Sequence, residues 1–293
     1  MPNKHLHYIS LVVGIIFWLP SVILAVFFHY HHFYTAFAFG GWLILDFIDW
    51  KLTGKSILAF FYSHENRRAF LIFFIFATIF CFVVDYIYGV KISQMWQWID
   101  YKTIHFIRMY LFMNASYVLG MYELWRVIRK LVSMYVIKRN NHQIENIPSK
   151  NVLWFVLVIG IIFMVLPLYS FYFDASMHIE YIMIFPFMGM LLMADSFTGL
   201  LGGHPTFVKI THFNSLYITS AIFTVILGAF FTEFINVFGG EWKYIKIPFP
   251  ELNVFHIPVA VFIGWVPLVL GSIAIVHFIK QLSYRIVLTK SKS

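Results

Sequence analysis

The chain has 293 residues, 61% of them hydrophobic and 12% charged, with a formal net charge of +8. A soluble globular domain carries about twice that charged share, so the composition excludes one and predicts an integral membrane protein. The single cysteine, Cys81, excludes an intrachain disulfide and a thiolate metal cluster, and the basic residues lie between apolar runs instead of on one polar face, which argues against nucleic acid as a partner.

A membrane-crossing helix needs about 20 apolar residues, and eight such runs occur, at 9–28, 33–50, 69–89, 104–125, 152–172, 179–200, 214–237 and 257–279. The first lacks a small-residue cleavage site and reads as a retained span, not as a removed signal peptide. The second carries Asp46 and Asp49 near its end, before the turn Gly54-Lys55-Ser56. The third holds Asp85 and leads into Trp96-Gln97-Trp98. In the fourth, Asn114-Ala115-Ser116 spells a glycosylation sequon that has no meaning inside a span, and Glu123 and Arg126 are spaced to pair with each other.

From the fifth run onward the chain repeats itself. Leu11-Val12-Val13-Gly14-Ile15-Ile16-Phe17 returns as Leu157-Val158-Ile159-Gly160-Ile161-Ile162-Phe163, and Asp46 with Gly54 returns as Asp195 with Gly203. Asp85 and its Trp-x-Trp return as Glu233 and Trp242-Lys243-Tyr244. All spans must be helical, since an open sheet in lipid leaves backbone groups unpaired. The predicted fold is therefore an all-α integral membrane protein with eight transmembrane helices in two parallel four-helix repeats, related by an axis along the membrane normal. Repeat one covers 1–137, a linker 138–150, repeat two 151–280 and a basic tail 281–293. Sixteen Lys and Arg residues fall on the side of both termini against five on the other, which predicts a cell-membrane protein with cytoplasmic termini.

Asp85 and Glu233 fall in the outer leaflet on this topology, roughly 24 to 28 Å from the inner surface at 1.5 Å per residue. Tyr88 and Asn236 follow three residues on, on the same helical faces. An acid inside an apolar span is a site hypothesis by default. If the two acids share a cavity, one can stay protonated and serve as a general acid, while Trp96, Trp98, Trp242 and Tyr244 steady a developing cation with their ring faces. Asp85 and Glu233 are thus the candidate catalytic residues, and Tyr88, Asn236, Trp96, Trp98, Trp242 and Tyr244 the candidate substrate-binding residues. The competing reading has each acid bond its own Tyr or Asn neighbour while the aromatics form an interfacial belt.

The remaining polar groups read as structural. His29, His31 and His32, with Asp174, His178 and Glu180 at the matching turn of the second half, form an outer rim that fits no metal-ligand spacing, and no metal or cofactor is expected. His31 aligns there with His178 and Tyr34 with Tyr181. Asp46 with Asp49 suggests a magnesium-diphosphate site, but Thr198 replaces the second acid in the repeat. Asp46 and Asp195 are expected instead to pair with Lys51, Arg67 or Lys209, or to cap neighbouring helices.

Glu233-x-x-Asn236 leading to Gly240-Glu241-Trp242-Lys243-Tyr244, Ile257-Pro258 and Gly264-Trp265 resembles a group of uncharacterised bacterial multi-pass membrane proteins with an acid, Asn, Trp-x-Tyr pattern in each repeat. More distantly, it is similar to the lycopene cyclase domain and the carotenoid hydratases, which implies a lipid or isoprenoid substrate. Those cyclase domains carry a Pro-x-Glu-Glu pair in the following helix, where this chain has Glu123 in one repeat and Val266-Pro267-Leu268 in the other. Three functions follow as alternatives: an intramembrane enzyme using acid catalysis on a lipid or isoprenoid, a small-molecule or proton-coupled transporter, and a non-catalytic scaffold or assembly factor. Membrane lipids and a hydrophobic small molecule are the expected partners.

Overall fold

The computed structural model of the chain describes residues 4–63, 66–135, 147–173 and 184–290. The helices are α1 (Lys4–Phe28), α2 (Tyr34–Thr53), α3 (Ile57–Tyr62), α4 (Arg67–Cys81), α5 (Thr103–Arg108), α6 (Asn114–Tyr135), α7 (Lys150–Phe173), α8 (Ile184–Leu200), α9 (Thr206–Thr211), α10 (Ser215–Gly239) and α11 (Val259–Lys290). A π-helix, Phe82–Ile92, continues α4, and a π-turn, Met109–Met113, joins α5 to α6. The short strands β1 (Trp96–Trp98) and β2 (Trp242–Tyr244) pair antiparallel, as do β3 (Asn253–Val254) and β4 (Ile257–Pro258).

Among the described residues, five helices are long and apolar enough to cross a membrane: α1, α4 with its π continuation to Ile92, α7, α10, and α11 as far as Ile286. The apolar α8 is shorter. The chain is accordingly a helical membrane protein. Burial separates flank from centre, since 17% of the α1 span and 22% of the α7 span are buried against 44% for α10 and 50% for α11. On α1 and α7 the exposed Ile, Val and Phe side chains suit a lipid solvent. The predicted span 33–50 falls on α2, of 20 residues, whereas 104–125 covers α5, the π-turn and only the first half of α6, which has 22 residues and runs on to Tyr135; α2 and α6 carry the fully buried Asp46, Asp49 and Glu123. These helices pack on each other, α2 against α1 and α6 against α10 and α11, so they are more polar because they face protein.

Close helix contacts are made at glycine. A Cβ on Gly40 would lie 2.6 Å from the Gly14 carbonyl oxygen, and one on Gly189 2.7 Å from that of Gly160, which brings α1 onto α2 and α7 onto α8. Gly54 (φ 72°) ends α2 and Gly240 (φ 65°) ends α10; their N–H groups close on Trp50 O at 2.8 Å and Asn236 O at 2.7 Å.

At one end of the bundle the buried acids cap short helices. Asp46 Oδ1 accepts from Leu58 N–H at 2.9 Å in the first turn of α3, and Asp195 Oδ2 accepts from Phe207 N–H at 2.8 Å in the first turn of α9. Glu123 Oε1 accepts from Ile57 N–H at 2.7 Å. These N–H groups have no partner within their own helix, so each carboxylate replaces water that cannot reach them. Two expected pairings are corrected. Arg126 reaches Asp49, Nη2 to Oδ2 at 3.0 Å, and leaves Glu123 to the backbone; beside Asp46 stands the ring of His7, at 3.7 Å, and not Lys51 or Arg67. Most of the predicted linker, at 138–146, and the rim residues Asp174, His178, Glu180 and Tyr181 lie outside the described residues.

Candidate functional site

At the other end of the bundle, two loops far apart in the chain form one sheet. Trp96 stands opposite Tyr244, Gln97 opposite Lys243, and Trp98 opposite Trp242. Backbone bonds continue the ladder on either side, from Ile99 N–H to Glu241 O at 2.8 Å, from Ile245 N–H to Met95 O at 2.8 Å and from Lys246 N–H to Gln94 O at 3.3 Å. Alternate residues of a strand face opposite ways. Gln97 and Lys243 are therefore exposed, while Trp96, Trp98, Trp242 and Tyr244 turn into the protein.

The inward side chains meet the two acids. Asp85 Oδ1 accepts from Trp96 Nε1–H at 3.0 Å; its Oδ2 accepts from Trp98 Nε1–H at 3.3 Å and from the Tyr110 hydroxyl at 2.7 Å. The Tyr244 hydroxyl sits between both oxygens of Glu233, at 2.9 and 2.8 Å, and Trp265 Nε1–H donates to Oε1 at 3.0 Å. Trp242 Nε1–H in turn donates to the Tyr244 oxygen at 3.2 Å. An indole N–H only donates, so each acid is surrounded by groups that serve it as an acceptor.

Both acids line one cavity of about 360 Å³, together with Trp96, Trp98, Trp242, Tyr244, Trp265 and Tyr117. That volume lies near the lower end for small-molecule sites. The remaining wall is mainly apolar and includes the sole cysteine, Cys81. Gly89 permits the close seat of Trp96 beside Asp85, because a Cβ there would run into the indole ring.

Two of the predicted binding residues do other work. The Tyr88 hydroxyl donates to Met164 O at 2.5 Å and ties the π-helix to α7. Asn236 clamps the Trp242 backbone, Nδ2 donating to the carbonyl at 2.9 Å and Oδ1 accepting from the N–H at 3.1 Å. Neither lines the cavity. The competing expectation, that each acid bonds its own neighbour three residues on, is corrected by the same contacts.

Sequence reasoning missed Tyr110 and Tyr117, and took Trp265 only as part of a motif. A signal was present: Tyr117 follows Asp85, and Trp265 follows Glu233, by the same 32 residues, and the two rings meet with centroids 5.8 Å apart. Glu241, too, was taken only as part of that motif. It is fully buried beneath the sheet, where its Oε2 accepts from Tyr34 N–H at 2.6 Å and its Oε1 from the Tyr101 hydroxyl. Burial pushes the Glu241 carboxyl up to about 7 against the opposing pull of these bonds, and pushes the Tyr101 phenol upward too.

The histidines of the rim serve the end of α10. His29 Nδ1–H donates to Phe238 O at 2.8 Å and His31 Nδ1–H to Gly239 O at 2.7 Å, while the His32 ring lies against that of His105 with centroids 3.9 Å apart. Among the described residues, no three His, Cys, Asp or Glu side chains are grouped to hold a metal ion. Compared with protein-family models, with curated proteins and with solved structures, the chain finds no match.

Proposed function

We propose that this protein is an intramembrane enzyme that uses Asp85 and Glu233 for acid catalysis on an unsaturated lipid or isoprenoid. The observation that carries this reading is that both carboxyl groups line a single, mainly apolar cavity whose other polar groups are largely indoles and phenols. Donors already aimed at each carboxyl need no rearrangement when it gives up a proton, which is how preorganised sites favour charge separation. Trp98, Trp242 and Trp265 line the same space and supply the aromatic rings that would steady a carbocation formed there. A cavity of about 360 Å³ suits a short isoprenoid or one end of a longer chain.

The same proposal takes the protein as eight spans in two parallel repeats in the cell membrane, with cytoplasmic termini. Supporting the repeat, Asp85 meets Trp96 and Glu233 meets Tyr244, each eleven residues on, and Asp46 and Asp195 each cap the residue twelve on. The Gly14–Gly40 and Gly160–Gly189 approaches match as well. Trp96 opposite Tyr244 would then mark the local twofold. Kinship with the lycopene cyclase and carotenoid hydratase group is part of this proposal, supported by the contact of the Trp-x-Tyr turn with the acid of the preceding helix.

The test is mass spectrometry of lipids and pigments extracted with the purified protein, followed by turnover of whatever is enriched. An unsaturated hydrophobic molecule should be enriched, and Glu233→Gln should abolish its conversion while the protein stays folded. Recovery of bulk membrane lipid alone, or undiminished conversion by Glu233→Gln, overturns the reading. A proton-coupled carrier is the second reading, favoured by two acids facing one cavity; it requires uptake that collapses with the proton gradient.

A further inference from the structure

We infer that the ligand of this cavity carries a neutral carbonyl oxygen, received between Asn114 Nδ2 and the Tyr117 hydroxyl. The inference rests on the reading that the cavity binds a hydrophobic molecule, and it adds the class: an apolar ketone, aldehyde or quinone in place of a pure hydrocarbon.

Asn114 and Tyr117 are three residues apart at the start of α6, hence on one helical face, and both line the cavity. Asn114 is 5% exposed. Its Nδ2 and the Tyr117 hydroxyl oxygen are buried with no hydrogen-bond partner among the described residues, whereas the carboxylates and the indoles of Trp96, Trp98, Trp242 and Trp265 around them are engaged. A buried donor left unmet carries a free-energy penalty that native structures rarely leave standing, so two of them on neighbouring residues of the cavity wall point to an acceptor that the ligand brings. The π-turn Met109–Met113 immediately precedes Asn114, whose N–H closes the wide turn on Met109 O. Such turns change which way the next residues face and recur at functional sites.

The chemistry of the acceptor follows from what surrounds it. An amide nitrogen offers only hydrogens, and the phenol offers one, which suits the two lone pairs of a carbonyl oxygen. Asp85 and Glu233 line the same cavity, so a carboxylate or phosphate would enter against like charge on whichever of the two has given up its proton. Fatty acids and phosphorylated isoprenoids are thereby disfavoured, and a neutral carbonyl is left. Asn114, the first residue of a sequon with no use as one, thus acquires a binding role.

The experiment uses the full chain in phosphatidylcholine nanodiscs and two probes of one isoprenoid skeleton, farnesylacetone and its analogue with C=CH2 in place of C=O. Retained probe is measured by gas chromatography and mass spectrometry after gel filtration. The wild type should hold the ketone at least about ten-fold more tightly than the methylene analogue, a difference of about 1.4 kcal/mol. Tyr117→Phe, which removes one oxygen atom from a ring that stays in place, should weaken the ketone several-fold and leave the analogue unchanged; Asn114→Leu should do the same. Equal retention of both probes by the wild type, or equal loss of both in Tyr117→Phe, overturns the inference while the cavity remains a hydrophobic binding site. Retention of neither probe overturns it together with the reading on which it rests.

Discussion

Buried acids occur at both ends of this bundle, and their partners differ in kind. Asp46, Asp195 and Glu123 accept from backbone N–H groups at the starts of short helices, bonds that the chain must make wherever a helix begins away from water. Asp85 and Glu233 accept from indole and phenol side chains arranged around a cavity, where a simpler apolar wall would have filled the space. The same residue type thus closes the fold at one end and equips a chamber at the other. What tells them apart is the identity of the donor, since neither burial nor sequence position does.

The strongest challenge to this division is removal of the capping acids. Asp46→Ala or Asp195→Ala leaves a buried N–H without an acceptor and should cost about 2 to 4 kcal/mol, read as a lower melting temperature in detergent; a loss smaller than that caused by Glu233→Gln would dissolve the distinction. Next in size is a pH effect at the sheet. Glu241 binds a proton more tightly folded than unfolded, so stability should fall as pH rises from about 4.5 to about 7 and then level off. The full span is on the order of 3 kcal/mol, and Glu241→Gln should flatten the profile. Gly89→Ala should cost about 1 to 3 kcal/mol by pushing Trp96 off Asp85, and its signature would be a shift in tryptophan emission.

The smallest effects sharpen the comparison within the chamber. Asp85→Asn puts an amide N–H against Trp96, Trp98 or Tyr110, and because indoles cannot turn acceptor it should cost about 1 to 3 kcal/mol. Glu233→Gln keeps one oxygen for Trp265 and meets a Tyr244 hydroxyl that can reverse its role, so its cost should stay below about 1 kcal/mol. Equal destabilisation by the two variants would show that donor type is not what matters.

Apolar runs and the acids interrupting them could be read directly from the residues, because a lipid solvent makes each span's composition a local property. Pairing of Arg126 with Asp49 could not, since a three-residue spacing on α6 suggested Glu123 and only the packing of α2 against α6 offers the alternative. The aromatic turns were visible as Trp-x-Trp and Trp-x-Tyr, yet their union into one sheet is a long-range contact with no local signature. Nor does any residue pattern announce the π-helix that carries Asp85. Tyr88 and Asn236 were placed by helical periodicity alone, and in the fold their polar atoms go to Met164 and Trp242.

The sheet between the two loops also bears on how the molecule can move. Its ladder runs from Gln94 with Lys246 to Ile99 with Glu241, and Asn236 and Glu241 fasten the turn behind it. Halves joined in this way cannot part at that end without breaking several backbone bonds at once. Any relative movement of α4 and α10 must therefore leave the ladder between their following loops intact or break it as a unit.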